Sequence, residues 1–405
     1  MSLSVAASGR AVGTAIPVVF LALSVLALTL FGYMGVGRGG TLFAFDMRYL
    51  YIAGEMWGQF SSPYDVDSFK GAMKTLLDID SGNFAYPPNA FPVAMILSPG
   101  SVELAQILIG ALNLVAIGIL VAFIHLGAAK TAPDGGPQAA AIALIASSIV
   151  IGNPFSAHVV WMGQMTLISA ACVYGCWLMA DRRLDVVAGV LLGLSAFKPQ
   201  LAFLVGLWFV LDRRWVLVAT AAATTVVISA WPMITNGLSG SWLAWAGTLG
   251  EYQDTIYNVV TFKHVFGIRS VLASVGIEVP SLILPGIAAL IGLFMMRRHY
   301  ETIWLINAIL LISFLFLFAH DYDLAPVAVI ACPLLLAARR KPGLLLLICA
   351  LAFVIFFPQR IWEKLDLALM ARTREIAVLG ILALYLVVCR KPQEGVQPSL
   401  AAAQR

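Results

Sequence analysis

The feature that most constrains this chain is a series of apolar runs too long for a soluble core. PVVFLALSVLALTLFG at 17–32 contains no charged residue, and comparable runs occupy 215–230 and 303–319. Each approaches the roughly 20 residues a helix needs to cross a hydrocarbon layer about 30 Å thick. Over 405 residues, 61% are hydrophobic and 11% charged, against about 45–50% and about 25% in soluble domains. A water-soluble enzyme is excluded, and neither a Gly-rich phosphate loop, an internal repeat nor a nucleic-acid patch is present. The first run is long for a cleavable leader and meets no small-residue cleavage site before Arg38, so it is expected to stay as a span. Cys172, Cys176, Cys332, Cys349 and Cys389 all fall inside apolar runs, which predicts neither disulfides nor a metal site.

These runs predict an all-α polytopic membrane protein of about twelve spans, at 14–34, 103–127, 138–152, 158–180, 184–197, 200–212, 215–235, 279–296, 302–319, 323–338, 343–358 and 374–390. Basic residues fix the expected orientation, because cytoplasmic loops collect Lys and Arg. Lys130, Arg182 with Arg183, Arg213 with Arg214, Arg297 with Arg298, Arg339 to Lys341, and Arg390 with Lys391 fall in alternate connections. Those connections and both termini are read as cytoplasmic, in a bacterial inner membrane. The segment 89–98 is read as re-entrant or interfacial, since a further span there would invert every later loop. The expected organisation is one membrane domain over 1–390, with large periplasmic loops at 35–102 and 236–278 and a disordered tail at 391–405.

Ionisable residues near a membrane core are costly, so they usually face a partner or a cavity. Here they gather at one set of span ends: Asn153 with His158, Gln164, Lys198, and the run His320, Asp321, Tyr322, Asp323. Asp46 stands just beyond the first span. The spacing of Tyr49, Ile52, Ala53, Met56 and Trp57 after it predicts an amphipathic helix on the membrane surface. Asp46 therefore either caps that helix or presents a carboxylate at the bilayer lip. Tyr86 precedes two prolines, which forbid regular helix and fix an extended turn. Lys198 reads as a snorkelling anchor or as one of several donors suited to a lipid phosphate. Trp242, Trp245, Tyr252 and Tyr257 read as an interfacial belt or as sugar-stacking rings.

The segments FDMRYLYIAGEMWGQFSSPYD, FAYPPNAFPVAMILSP, WMGQMTLISA, AFKPQLAFLVGLWFVLDRRW and FAHDYDLAPV, in that order from about 45 to 330, resemble glycosyltransferase family 87. These are polyprenyl-phosphate-mannose-dependent mannosyltransferases of the GT-C superfamily. The resemblance implies a GT-C fold and inverting, metal-independent transfer at the periplasmic face, from a polyprenyl-phosphate sugar to a lipid or glycan acceptor. No cofactor and no nucleic acid are implied. Asp46 matches the family's loop-one aspartate and would be the general base; His320 matches the histidine near the donor phosphate. Lys198 and Gln164 match recurring positions. Tyr86, Asn153, His264, Arg269, Asp321 and Tyr322 complete the expected substrate-binding set. Alternatives are another GT-C transferase using a different polyprenyl-phosphate sugar, such as arabinose, or a secondary transporter; the large first loop and the missing repeat oppose the transporter.

Overall fold

The computed structural model describes residues 2–80, 82–358, 361–362 and 372–391. The expected tail after Lys391 and most of the connection at 359–373 lie outside them. Helix dominates, as the apolar runs require, because a backbone in lipid must satisfy its own hydrogen bonds. The first helix, α1 (Ser2–Ala27), runs on through a π-helical turn, Leu28–Tyr33. Its Ile16, Val18, Val19, Phe20 and Leu23 are exposed although apolar, as lipid-facing side chains would be. Then come α2 (Met47–Gly58), α3 (Val66–Leu77), α4 (Phe91–Leu97) and α5 (Val102–Thr131). The bundle continues with α6 (Gly136–Gly152), α7 (Pro154–Met162), α8 (Thr166–Asp181), α9 (Asp185–Ser195), α10 (Pro199–Leu211), α11 (Trp215–Ile228) and α12 (Ala230–Asn236).

Four helical segments are long and apolar enough to cross a membrane: Ala15–Tyr33, Val102–Thr131, Pro133–Gly152 and Asp321–Ala338. Counting two bent pairs, α7 with α8 and α11 with α12, brings the total to six among the described residues. The other expected spans correspond to helices of 11 to 16 residues, such as α9 and α10, roughly 16–24 Å long at 1.5 Å per residue. One expectation is corrected outright. The run 158–180 is not one helix: α7 and α8 meet at 115°, because Gly163 between them takes φ +66°, a conformation that ends a right-handed helix. The segment 89–98 forms a short helical turn and α4, whose seven residues reach only about 10 Å.

The bundle is held by close backbone approach where small residues allow it. Gly189 and Gly193, one turn apart on α9, face α11 so tightly that a Cβ on either would stand 2.5 Å from the Leu217 carbonyl and 2.7 Å from the Ala221 carbonyl respectively. The bundle centre is aromatic: Tyr174 stands 4.8 Å from Phe123, and its hydroxyl donates to Asn307 Oδ1 at 2.8 Å. Residues 35–102 build a second core around Trp57, Phe69, Met73 and Phe84, closed from below by Ala105 and Ile109 of α5. The apolar face of α2, expected to lie on the membrane, is spent in that core; Ile52, Ala53 and Trp57 are wholly buried.

The second loop carries α13 (Ala244–Asp254), β1 (Val265–Phe266) and α14 (Ile268–Ser274). It is tied to the first loop by the Trp245 indole N–H donating to the Ala85 carbonyl at 2.9 Å and by Ser62 donating to the Gly240 carbonyl at 2.8 Å. After α15 (Ile283–Met296) and α16 (Thr302–Phe316), β2 (Ala319–His320) pairs antiparallel with β1, Val265 opposite His320. A 3₁₀ stretch, Asp321–Ile330, leads into α17 (Ala331–Ala338), followed by α18 (Pro342–Phe356) and α19 (Thr373–Val388).

Candidate active site

The α7–α8 break builds the first half of the site. Helix ends leave unpaired carbonyls, and here loop one supplies the donors: Ala44 N–H bonds the Trp161 carbonyl at 2.7 Å and Asp46 N–H the Met162 carbonyl at 2.9 Å. Gly163 lies under this junction, where a Cβ would come within 2.8 Å of Met47 Cβ. Asp46 is thereby set against Gln164, whose Nε2 donates to its carboxylate. Gln164 Oε1 accepts the Tyr86 hydroxyl at 2.9 Å, and Nε2 also reaches the Tyr322 hydroxyl at 3.3 Å. Asp46 directly precedes α2, yet its side chain bonds no N–H of the first helical turn. The capping role is thus unfilled. Burial pushes the Asp46 carboxyl up to about 6, against the lowering effects of Gln164 and Lys198. The Tyr86 phenol is raised well above its ordinary value, by burial first and then by Asp46, and stays a donor.

The second half centres on Tyr322. Lys198 lies between α9 and α10; its Nζ stands 5.1 Å from the centre of the Tyr322 ring and 3.0 Å from Asp323 Oδ1. Asp323, fully buried, also accepts the Thr166 hydroxyl at 2.7 Å, Gln200 Nε2 at 3.3 Å and the His320 backbone N–H at 3.0 Å. The His320 ring stacks on Tyr322 at 5.1 Å, nearly parallel at 6°, and its Nε2 meets Asn258 Oδ1 at 2.9 Å. Burial lowers the His320 pKa, so the ring is neutral near pH 7. An adjoining ionic cluster is formed by Asp321, whose Oδ2 lies 2.9 Å from His264 Nδ1 and 3.3 Å from Arg374 Nη1. The β1–β2 pairing positions it, since Asp321 N–H donates to the His264 carbonyl at 2.9 Å. Among the described residues, no group of three or more His, Cys, Asp or Glu converges as metal ligands would.

Of the residues picked from sequence, Asp46, Tyr86, Gln164, Lys198, His320 and Tyr322 form one connected network, with Asp321 and His264 beside it. Arg269 stands apart: its Nε donates to the Val279 carbonyl at 2.9 Å, and it lines a cavity of about 210 Å³ with Gln253 and Asn258. Asn153 is engaged at the start of α7. Its Oδ1 accepts the Phe155 and Ser156 N–H groups at 3.0 and 2.9 Å, and its Nδ2 bonds the Ile149 and Val150 carbonyls and Ser156 Oγ, each at 2.9 Å. The side chain is saturated as the N-cap of α7, a role that Asn followed by Pro already signals. Sequence reasoning passed over Asn258, Thr166, Gln200 and Arg374 as site residues, and left Asp323 unassigned although it stands in the same polar run.

The matching segment of known sequence lies across this site. The sequence profile of glycosyltransferase family 87 matches residues 84–358, about two thirds of the chain. The chain belongs to glycosyltransferase family 87. The family match contains Tyr86, Gln164, Lys198 and the His320–Asp323 run, and begins after Asp46, which joins them through its bond from Gln164. No curated protein and no solved structure matches the chain. As a family 87 member it is a membrane-embedded glycosyltransferase, acting on a sugar donor and an acceptor.

Proposed function

We propose that this glycosyltransferase moves a sugar, mannose by the resemblance, from a polyprenyl-phosphate donor to a hydroxyl on a lipid or glycan acceptor, inverting the anomeric centre, with Asp46 as general base. The observation that carries this reading is the Asp46 carboxylate itself: it heads a helix without capping it, faces Gln164, and holds a pKa raised to about 6. A base in that range is largely ionised at neutral pH and still basic enough to accept a proton in the transition state.

The acceptor hydroxyl gives its proton to Asp46 as its oxygen attacks C1, and the C1–O bond to phosphate breaks on the opposite face. Tyr322 separates the two functions, with Gln164 at its hydroxyl end and Lys198 and His320 against its ring. In this reading Lys198 and His320 are the nearest groups to stabilise the departing phosphate, as charge developing in a dry site requires. A carrier lipid cannot leave the bilayer, which accounts for a site embedded among apolar helices.

Orientation belongs to the same proposal. Thr166 opens α8, Lys198 follows α9 and Gln200 opens α10, while Arg182, Arg183, Arg213 and Arg214 lie at the other ends of these helices. Placing the basic ends in the cytoplasm of a bacterial inner membrane turns the site to the periplasm and both termini inward. The test is transfer by purified protein from a panel of radiolabelled polyprenyl-phosphate sugars to lipid and glycan acceptors. Label reaching an acceptor from at least one lipid-linked donor is expected; transfer from a nucleotide sugar alone would overturn the reading.

A further inference from the structure

The strand pair that carries His320 is too small to hold itself. β1 and β2 have two residues each, and so short a two-stranded ladder is at best marginally stable alone. Its register matters, because a slip of one residue turns every side chain to the opposite face. Val265 opposite His320 is the register that leaves His320 stacked on Tyr322 and in contact with Asn258 Oδ1. Two buried arginines at the head of α19 fasten both strands from outside the ladder. Arg372 donates through Nη1 to the Val265 carbonyl at 2.9 Å, and through Nη2 to the Thr261 and Phe262 carbonyls at 3.1 and 3.3 Å. Arg374 Nη1 reaches Oδ2 of Asp321, the residue after β2, at 3.3 Å. The same oxygen lies 2.9 Å from Nδ1 of His264, the residue before β1, so Asp321 ties both strands to the helix.

Arg374 is itself held from two other helices. Its Nε donates to the Ile355 carbonyl at 2.9 Å and its Nη2 to the Phe357 carbonyl at 3.1 Å, at the end of α18, and its guanidinium carbon stands 5.0 Å from the centre of the Phe155 ring on α7. A helix N-terminus disfavours cations, because they oppose its dipole, and burying a guanidinium adds a desolvation cost. Glu375 Oε1, 3.1 Å from Arg372 Nη1, offsets part of this. The two arginines therefore stand where the helix itself would not choose them, and their remaining bonds run to the strand pair and its surroundings. We infer that Arg372 and Arg374 are positioning residues for transfer: the last helix fixes the β1–β2 register, and with it the places of His264 and His320 beside Tyr322. Both lie beyond the family match, which ends at residue 358. The effect on rate rests on His320 facing the departing phosphate, as proposed; the effect on geometry does not.

The test is NMR of the full-length protein in detergent micelles, with isotopic nitrogen in the imidazoles of its five histidines, run beside transfer kinetics. Arg372→Gln and Arg374→Gln are each expected to shift the His264 and His320 resonances, assigned by His264→Gln and His320→Gln, and to leave that of His299 in place. His299 is the internal control: its carbonyl accepts the Lys391 N–H at 2.7 Å beyond the far end of α19, so a helix that had come loose altogether would move it too. Turnover should fall about ten- to a hundredfold, as a misplacement of about 1 Å does, with little change in donor KM. Adding Asp321→Asn to Arg374→Gln should cost no more than the worse single change, since both act through one contact. Arg374→Lys keeps a charge near Asp321 but cannot also span both α18 carbonyls; it is the milder variant if the Gln forms fail to fold, and its shifts should lie between theirs and wild type. Unmoved His264 and His320 resonances in the folded variants, a His299 shift as large as that of His264, or losses that multiply with Asp321→Asn would overturn the inference. The spectra need no donor, so a protein that uses no polyprenyl-phosphate sugar is still judged by them, and unmoved spectra leave the transfer reading standing.

Discussion

Gln164→Leu isolates the control of the base. Gln164 Nε2 donates to the Asp46 carboxylate and favours its ionised form. A hydrogen bond to a charged group contributes about 1.5–3 kcal/mol, and 1.36 kcal/mol corresponds to one pH unit. Removing the donor should move the acid limb of kcat/KM from about pH 6 to between about pH 7 and 8. Asp46 is only partly buried, so water replaces some of the lost donor and the lower end is expected. At pH 6 the variant should then retain about a fifth of the wild-type rate or less, recovering toward the wild-type plateau by pH 9. The Tyr86 hydroxyl also loses its acceptor, 2.9 Å away, for a stability loss of about 1–3 kcal/mol read separately by thermal unfolding. The assay is the pH dependence of transfer from the radiolabelled donor. An acid limb still near pH 6 in Gln164→Leu would refute this account of how the base is tuned.

Three further outcomes follow from the same geometry. Gly163→Ala forces a side chain onto φ +66° and within 2.8 Å of Met47 Cβ; thermal unfolding should show a loss of at least about 1–2 kcal/mol, with turnover falling as Gln164 shifts. Asp323→Ala leaves the buried Lys198 ammonium without its partner at 3.0 Å and should cost about 3–5 kcal/mol, whereas Asp323→Leu combined with Lys198→Met should recover stability without recovering transfer. For orientation, a cysteine at exposed Ser68 should react with an impermeant maleimide in intact spheroplasts, and one at exposed Pro342 should react only after lysis; labelling at Pro342 in intact spheroplasts would contradict the assigned orientation.

The membrane class was legible because apolar runs are a property of composition, and so was the gathering of polar residues into one network, because a charge among apolar neighbours needs a partner. The partners themselves were not legible. Lys198 and Asp323 are 125 residues apart and His320 and Asn258 are 62 apart, separations that no local pattern encodes. The two readings of Asp46 were indistinguishable in sequence, since a capping Asp and an unbonded one occupy the same position; only the side-chain direction toward Gln164 separates them. Span counting missed the 115° break because WMGQM is apolar enough to bridge it. Arg374 escaped notice because it stands in a short charged run, Arg372 to Glu375, that reads as an ordinary loop before a span, 53 residues from the Asp321 it pairs with.

The central claim is that Asp46 takes the acceptor's proton, and the measurement that meets it most directly is single-turnover transfer by Asp46→Asn at saturating donor. Asn keeps the shape and caps a helix as well as Asp, but it cannot accept the proton. Stability should not confuse the result. The folded-state pKa is raised from 3.8 to about 6, so ionised Asp46 works against folding above that pH, and the Asn variant should be no less stable than wild type at pH 7. Loss of a general base costs on the order of 10²–10⁴ in rate. The account predicts a folded, donor-binding protein with transfer reduced at least about a hundredfold; retention of more than about a tenth of the wild-type rate would contradict it.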